Sequence, residues 1–264
     1  MLTQNLSRRE RVVCRLKVKL LISPQNVEEA IEAVAGGADI IDVKNPKEGP
    51  LGANFPWVIR EIKQFISGGV ELSCTLGEAP NLPGSMALAA FGAASLKVDY
   101  VKVGLSNVHT VQNAVGLLEG VVRAVRMCDS KIKVVVAGYG DYFRVNSIEP
   151  QFVVQAAFVA KADVVMLDTA VKDGKNLFAF QSCQQLEAFI GFAHKQGLGV
   201  ALAGSLQGQD LGVVKGLGVD FVGLRGAACE NNNRDTGSIT RERVRALVEN
   251  IKQTTANNNT TIVV

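Results

Sequence analysis

Short apolar, β-branched runs recur along this chain, separated by longer stretches in which apolar residues return with helical spacing. The runs are KVKLLI (17–22), DIIDV (39–43), VELSCT (70–75), DYVKV (99–103), IKVVVA (132–137), DVVML (163–167), LGVALA (198–203) and VDFVGL (219–224). Their near-continuous apolar character predicts parallel strands buried on both faces. Helices are expected between them, among them 27–38, 85–96, 110–126 and 183–196. Several helices run into an Asp at the next strand entry, in GGAD (36–39), KVD (97–99), KAD (161–163) and GVD (218–220). These signals read as helix C-caps followed by polar strand entries at the bottom of a barrel.

Eight strand–helix units in this length predict an α/β protein with a single (β/α)8 TIM barrel. A doubly wound sheet would favour a glycine fingerprint after the first strand, and SPQNVEE (23–29) has none. The barrel is expected over residues 16–253. It is flanked by a polar, basic extension (1–15) and a tail without periodicity (254–264).

In such a barrel the chemistry lies at the C-terminal ends of the strands. Strand side chains alternate between faces. With Ile41 and Val43 towards the helices, Asp42 and Lys44 point into the mouth. Lys102 points inward between Val101 and Val103. Met166 and Asp168 share a face, and Lys172 follows in the loop. An isolated ammonium is costly to bury, so inward lysines call for a counterion or a chemical role. The structural reading is a satisfied Lys–Asp pair such as Asp42 with Lys102. The chemical reading is amine catalysis, in which burial and neighbouring cations leave a neutral amine free to attack a carbonyl. A phosphate site is expected at the seventh and eighth loops, from Gly204 and Ser205 in AGSL (203–206) and from Arg225 and Gly226 in GLRGAA (223–228). Lys47 and Asn54 are weaker candidates for a second anion.

Composition narrows the field further. Hydrophobic residues make up 47% and charged residues 20%, an ordinary globular balance. The net charge of +3 is too small to argue for nucleic acid. One basic cluster, Arg8, Arg9, Arg11, Arg15, Lys17 and Lys19, reads as a solvated leader. No apolar run approaches membrane-spanning length and the start lacks a secretory h-region, so a cytoplasmic protein is expected. The five cysteines are scattered without a CxxC pair, as suits a reducing compartment. Cys74 lies within the third strand, where it could approach the mouth. The two histidines, His109 and His194, fall in helical segments and offer neither a metal site nor a catalytic triad. No cofactor or metal is expected. Association into a homo-oligomer is, since an apolar helix such as SMALAAFGAASL (85–96) could pack against a neighbour.

The loop DVKNPKEGPLGANFPWVI (42–59) is distinctive, and the chain resembles the (5-formylfuran-3-yl)methyl phosphate synthase family of methanofuran biosynthesis. The likeness continues through DYVKVGL (99–105), VVAGYGDYFRV (135–145), MLDTAVKDGKNLFAFQS (166–182), ALAGSL (201–206) and VGLRGAAC (222–229), so it spans residues 17 to 252. It implies a phosphate-eliminating lyase of one-carbon metabolism. Such an enzyme condenses two glyceraldehyde 3-phosphate molecules through a lysine Schiff base, with loss of phosphate and water. By matching motif, Lys44 in DVKNP corresponds to the Schiff-base lysine and Lys102 in YVKVG to the proton-transferring lysine. Asp42, Asp168 and Lys172 match the remaining active-site positions. The readings left beside it are another Schiff-base aldolase or sugar-phosphate isomerase, and a barrel that only binds a phosphorylated metabolite.

Overall fold

The computed structural model describes residues 18–66, 68–78 and 81–253. The basic leader other than Lys19, the N-terminal extension and the tail from 254 lie outside them. Eight parallel strands close into a barrel in sequence order, and each is followed by a helix. The units are β1 (Lys19–Ile22) and α1 (Val27–Gly36), β2 (Ile40–Val43) and α2 (Pro56–Phe65), β3 (Glu71–Thr75) and α3 (Pro83–Ser95), and β4 (Tyr100–Gly104) and α4 (Val111–Cys128). They continue as β5 (Lys133–Tyr139) and α5 (Pro150–Val159), β6 (Val164–Asp168) and α6 (Cys183–Lys195), β7 (Gly199–Leu202) and α7 (Leu211–Gly216), and β8 (Phe221–Leu224) and α8 (Arg241–Gln253). Closure comes from β1 pairing with β8, Leu21 opposite Gly223. The expected single (β/α)8 barrel is the fold found.

Helix starts follow local chemistry. Asn26, Thr110 and Ser182 accept hydrogen bonds from backbone amides of the first turns of α1, α4 and α6. Pro56, Pro83 and Pro150 open α2, α3 and α5, where a missing N–H costs nothing. Helix α3 keeps Leu88 and Phe91 exposed, 77% and 45%, on the segment whose composition suggested a neighbour.

The strand-entry aspartates do more than polar punctuation. Asp39, Asp99, Asp163 and Asp220 accept from the backbone amides of Leu20, Leu72, Val134 and Val200, at 2.9, 2.7, 2.7 and 2.8 Å. Each donates its own amide back to the carbonyl of the same residue. Every even strand is thus clamped to the odd strand before it by the same reciprocal pair. An Asp side chain closes the barrel floor four times over.

Alternation along the strands sorts the core into two layers. Ile41, Val43, Val101, Val103, Val165 and Leu167 join the large outer layer against the helices. Leu21, Ile40, Tyr100, Val135, Val164, Met166 and Ala201 fill the barrel interior. Between them a cavity of only about 20 Å³ remains, so the lower barrel is packed solid. Cys74 belongs to the outer layer and is fully buried, not near the mouth. Its register partners Val43 and Val101 both face the helices, which fixes its side. Burial pushes its thiol up to about 12. His194 does lie on α6, but His109 sits exposed in the loop before Thr110, the N-cap of α4. The four described cysteines are free, and no described helix is long and apolar enough to cross a membrane.

Candidate active site

Above the packed floor, the first polar layer is built on Asp42. Its carboxylate accepts from Lys102 Nζ at 2.7 Å, Ser73 Oγ at 2.6 Å and Ser23 Oγ at 3.2 Å. These partners come from β4, β3 and the end of β1, so one carboxylate ties four strands together. Burial alone would raise the Asp42 pKa, but the charges of Lys102 and Lys44 and the hydrogen bonds of Lys102 and Ser73 hold it below the ordinary value. The Lys–Asp pair read from the sequence as the structural alternative is therefore formed. Lys102 is 1% exposed, beneath the open cavity rather than on its wall.

A second pair lies across the mouth. Lys172 Nζ donates to Asp168 Oδ1 at 2.6 Å and to Thr169 Oγ1 at 3.1 Å. Burial opposes ionisation of Asp168, yet Lys172 and then Lys44 outweigh it and take the carboxyl to about 2. The loop bearing Lys172 is held by Asp141, whose carboxylate accepts from the amides of Ala170 and Val171 at 2.7 and 3.1 Å. Asp141 is fully buried at the end of β5, and the sequence reading missed it. The GYGDY run in which it stands was the only signal.

Lys44 sits between these pairs. It is 6% exposed, and among the described residues its ammonium makes no hydrogen bond or ion pair. Burial is the largest influence on it and lowers its pKa to about 7, opposed by Asp168 and Asp42 and helped by Lys102 and Arg234. Burial, rather than mutual repulsion of lysines, thus does most of what the sequence reading asked of the cluster. The amine is held from behind by its backbone. Lys44 donates its amide to Pro24 O at 3.1 Å, and Asn54 Nδ2 reaches both Gln25 O at 2.8 Å and Lys44 O at 3.3 Å. Asn54 is a brace for the Lys44 backbone, and Lys47 is exposed; neither lines the cavity.

The cavity has a volume of about 670 Å³ and is walled by Asp42, Lys44, Asp168 and Lys172 on one side and by the seventh and eighth loops on the other. Gly204, Ser205, Arg225 and Gly226 all line it. The amides of Gly204 and Ser205 make no hydrogen bond among the described residues. Gly204 adopts φ 102°, and a Cβ there would lie 3.0 Å from the Thr169 amide nitrogen, so the turn needs glycine. Arg225 is differently employed. Its guanidinium grips Glu29 at 2.7 and 3.3 Å, Ser23 O at 2.7 Å and Arg234 O at 3.0 Å. The cation beside it that the sequence reading did not single out is Arg234, whose side chain lines the same cavity. Among the described residues, no group of His, Cys, Asp or Glu has the arrangement to hold a metal ion.

A family model described as 4-HFC-P synthase matches residues 20–248. The (5-formylfuran-3-yl)methyl phosphate synthase of Methanocaldococcus jannaschii is 52% identical over 230 residues, 87% of this chain and 98% of that protein. The synthase of Methanopyrus kandleri is 50% identical over 234 residues, 89% of this chain and 99% of that protein. Among solved structures, 3-hexulose-6-phosphate synthase from Salmonella typhimurium superposes with a TM-score of 0.63 at 18% identity, covering 90% of this chain and 100% of its own. At that identity the likeness shows the barrel alone. On the family match and these relatives, the chain belongs to the (5-formylfuran-3-yl)methyl phosphate (4-HFC-P) synthase family.

Proposed function

We propose that the protein is a phosphate-eliminating lyase that condenses two glyceraldehyde 3-phosphate molecules into (5-formylfuran-3-yl)methyl phosphate through a Schiff base on Lys44. The observation that carries this reading is the Lys44 amine, nine-tenths buried and unpaired among the described residues, with a pKa lowered to about 7. Such an amine is substantially neutral near neutral pH and free to attack a carbonyl. The imine makes the neighbouring carbon acidic. Asp168, paired with Lys172, and Lys102, hydrogen-bonded to Asp42, flank Lys44, the carboxylate as a group able to accept that proton and the ammonium as one able to supply a proton. The resulting enamine attacks the aldehyde of the second triose. Loss of phosphate and water then gives the aromatic ring, which makes the sequence irreversible.

The phosphate that is retained suits the seventh and eighth loops, where Gly204 and Ser205, whose amides make no hydrogen bond among the described residues, line the cavity with Arg234 and Lys172. Besides Arg225, which Glu29 neutralises, four basic side chains against three acidic ones line the cavity, a balance that favours anionic substrates. Two measurements test the reading. Borohydride reduction in the presence of glyceraldehyde 3-phosphate adds mass to the peptide containing Lys44. A furan aldehyde then absorbs in the ultraviolet, which no simple aldol does. Mass on another lysine, or an aldol product without furan absorbance, rejects it in favour of an ordinary class I aldolase. Neither mass nor product leaves a metabolite-binding barrel.

A further inference from the structure

On the even strands the inward residues at the mouth are Lys44, Gly104, Asp168 and Arg225, each two positions beyond Asp42, Lys102, Met166 and Gly223. Only the β4 position lacks a side chain, yet the space over it is filled. A Cβ on Gly104 would lie 2.6 Å from Tyr139 Oη and 2.9 Å from Glu78 Oε2. The Tyr139 hydroxyl donates to that Glu78 oxygen. Glu78, from the loop after β3, therefore occupies the space where β4 has given up its side chain, beside Asp168 and Lys172, which wall the cavity.

Two features show that this pair is built rather than incidental. Tyr139 is fully buried at the end of β5, in register with Asp168, so it cannot turn to water. The other Glu78 oxygen, Oε1, is buried and has no hydrogen-bond partner among the described residues. Leaving a buried acceptor unsatisfied costs roughly 1–3 kcal/mol, and the backbone donor facing this carboxyl is the Leu51 amide. The groups facing the carboxyl are Tyr139 from β5, Asp168 and Lys172 from the β6 side, and the Leu51 backbone amide. Burial raises the Glu78 pKa. The Tyr139 hydrogen bond opposes this, and the nearby Asp168 charge adds to it. The carboxyl is thus biased towards its protonated form, in contrast to Asp42 and Asp168, which are held ionised.

We propose that Glu78, oriented by Tyr139, is a further catalytic acid of this site and protonates the hydroxyl that leaves during dehydration of the condensed intermediate. The proposal rests on the Schiff-base reading above. In the step, the enamine nitrogen on Lys44 donates its electron pair to form C=N as the C–O bond of the neighbouring alcohol breaks. The departing oxygen takes the Glu78 proton and leaves as water. The carboxylate regains a proton when the adjacent carbon loses one to form the next double bond, so Glu78 ends the cycle as it began and no redox partner is needed. Tyr139 acts through Glu78 and is a positioning residue.

The test compares Glu78→Gln and Tyr139→Phe with the wild-type full chain, using glyceraldehyde 3-phosphate as the probe. Furan formation is expected to fall about 100-fold in kcat for Glu78→Gln, within the range of general acid catalysis, and about 10-fold for Tyr139→Phe. KM is expected to stay within about threefold, and borohydride-trapped mass on Lys44 to match the wild type, because imine formation precedes the step. A kcat within about threefold of wild type in both variants overturns the proposal, as does loss of the trapped imine in parallel with the furan. Should Glu78→Gln fail to fold, Glu78→Asp and Tyr139→Phe carry the same readings. A wild-type protein that gives neither trapped Lys44 nor furan overturns the Schiff-base reading itself, a result distinguishable from failure of Glu78 alone.

Discussion

Lys102 Nζ lies 2.7 Å from Asp42 Oδ2, and neither side chain is more than 1% exposed. The two residues stand 60 positions apart, on β4 and β2. Burying both charges is tolerable because each satisfies the other and Ser73 and Ser23 complete the carboxylate. Removing one partner leaves the other charged in a low-dielectric floor.

The pair therefore makes a thermodynamic prediction. Asp42→Leu and Lys102→Met are each expected to cost about 3–5 kcal/mol, whereas the double variant carrying both recovers much of that loss. A double-mutant cycle by urea unfolding checks this, and additive losses would refute the coupling.

Lys44 behaves in the opposite sense. Its pKa in the fold is about 7 against 10.5 for the free side chain. The folded protein therefore binds this proton less tightly than the unfolded chain, and stability rises with pH between those two values. Below about pH 7 the burial penalty is fully present, on the order of a few kcal/mol; towards pH 10.5 it vanishes. Lys44→Met is expected to raise the melting temperature most at pH 6 and progressively less towards pH 10, while abolishing borohydride trapping. In the wild type, kcat/KM should climb tenfold per pH unit below about 7 and level off above it, which a pH–rate profile measures.

Arg225 and Arg234 are expected to separate cleanly. Arg225 is locked to Glu29, with both side chains 3% exposed, so Arg225→Ala leaves a buried carboxylate unpaired and costs about 3–5 kcal/mol. Arg225→Lys does not restore it, since an ammonium cannot hold Glu29, Ser23 O and Arg234 O together. Arg234→Ala should leave the melting temperature within a few degrees and raise KM for the triose phosphate about tenfold. Calorimetric unfolding and steady-state kinetics on the two variants distinguish brace from ligand.

Gly204 is the backbone counterpart. At φ 102° any side chain is strained, and a Cβ would press on the Thr169 amide. Gly204→Ala is expected to destabilise the protein by about 1–3 kcal/mol. Because Thr169 holds Lys172, KM should rise as well. An unchanged KM in a folded variant would separate the turn from the substrate site.

Much of this site was legible without coordinates. Asp42, Lys44, Lys102 and Asp168 are inward because strand geometry alternates with period 2, a local rule that holds in any barrel. Cys74 was open to misreading because one buried residue in an apolar strand carries no label for its side; its partners Val43 and Val101 supplied one. The phosphate-facing role read for Arg225 assumed a free guanidinium. Its actual partner, Glu29, lies 196 residues away on α1, and nothing in GLRGAA announces it.

What the sequence determined by itself is the periodic part: eight units, their order, and the face on which each polar residue stands. These follow from bond geometry and hydrophobic spacing within a few residues. Tertiary structure alone decided the partnerships. Closure of the barrel clamped four aspartates to the strands before them. It set Glu78 and Tyr139 into the place vacated at Gly104, and left Lys44, among the described residues, without an ion-pair partner of its own between two satisfied pairs. The physical reason is range. A side chain's direction is fixed by its own backbone, whereas its environment, and so its charge and chemistry, is fixed by whatever distant residues the closed sheet brings within about 3–4 Å.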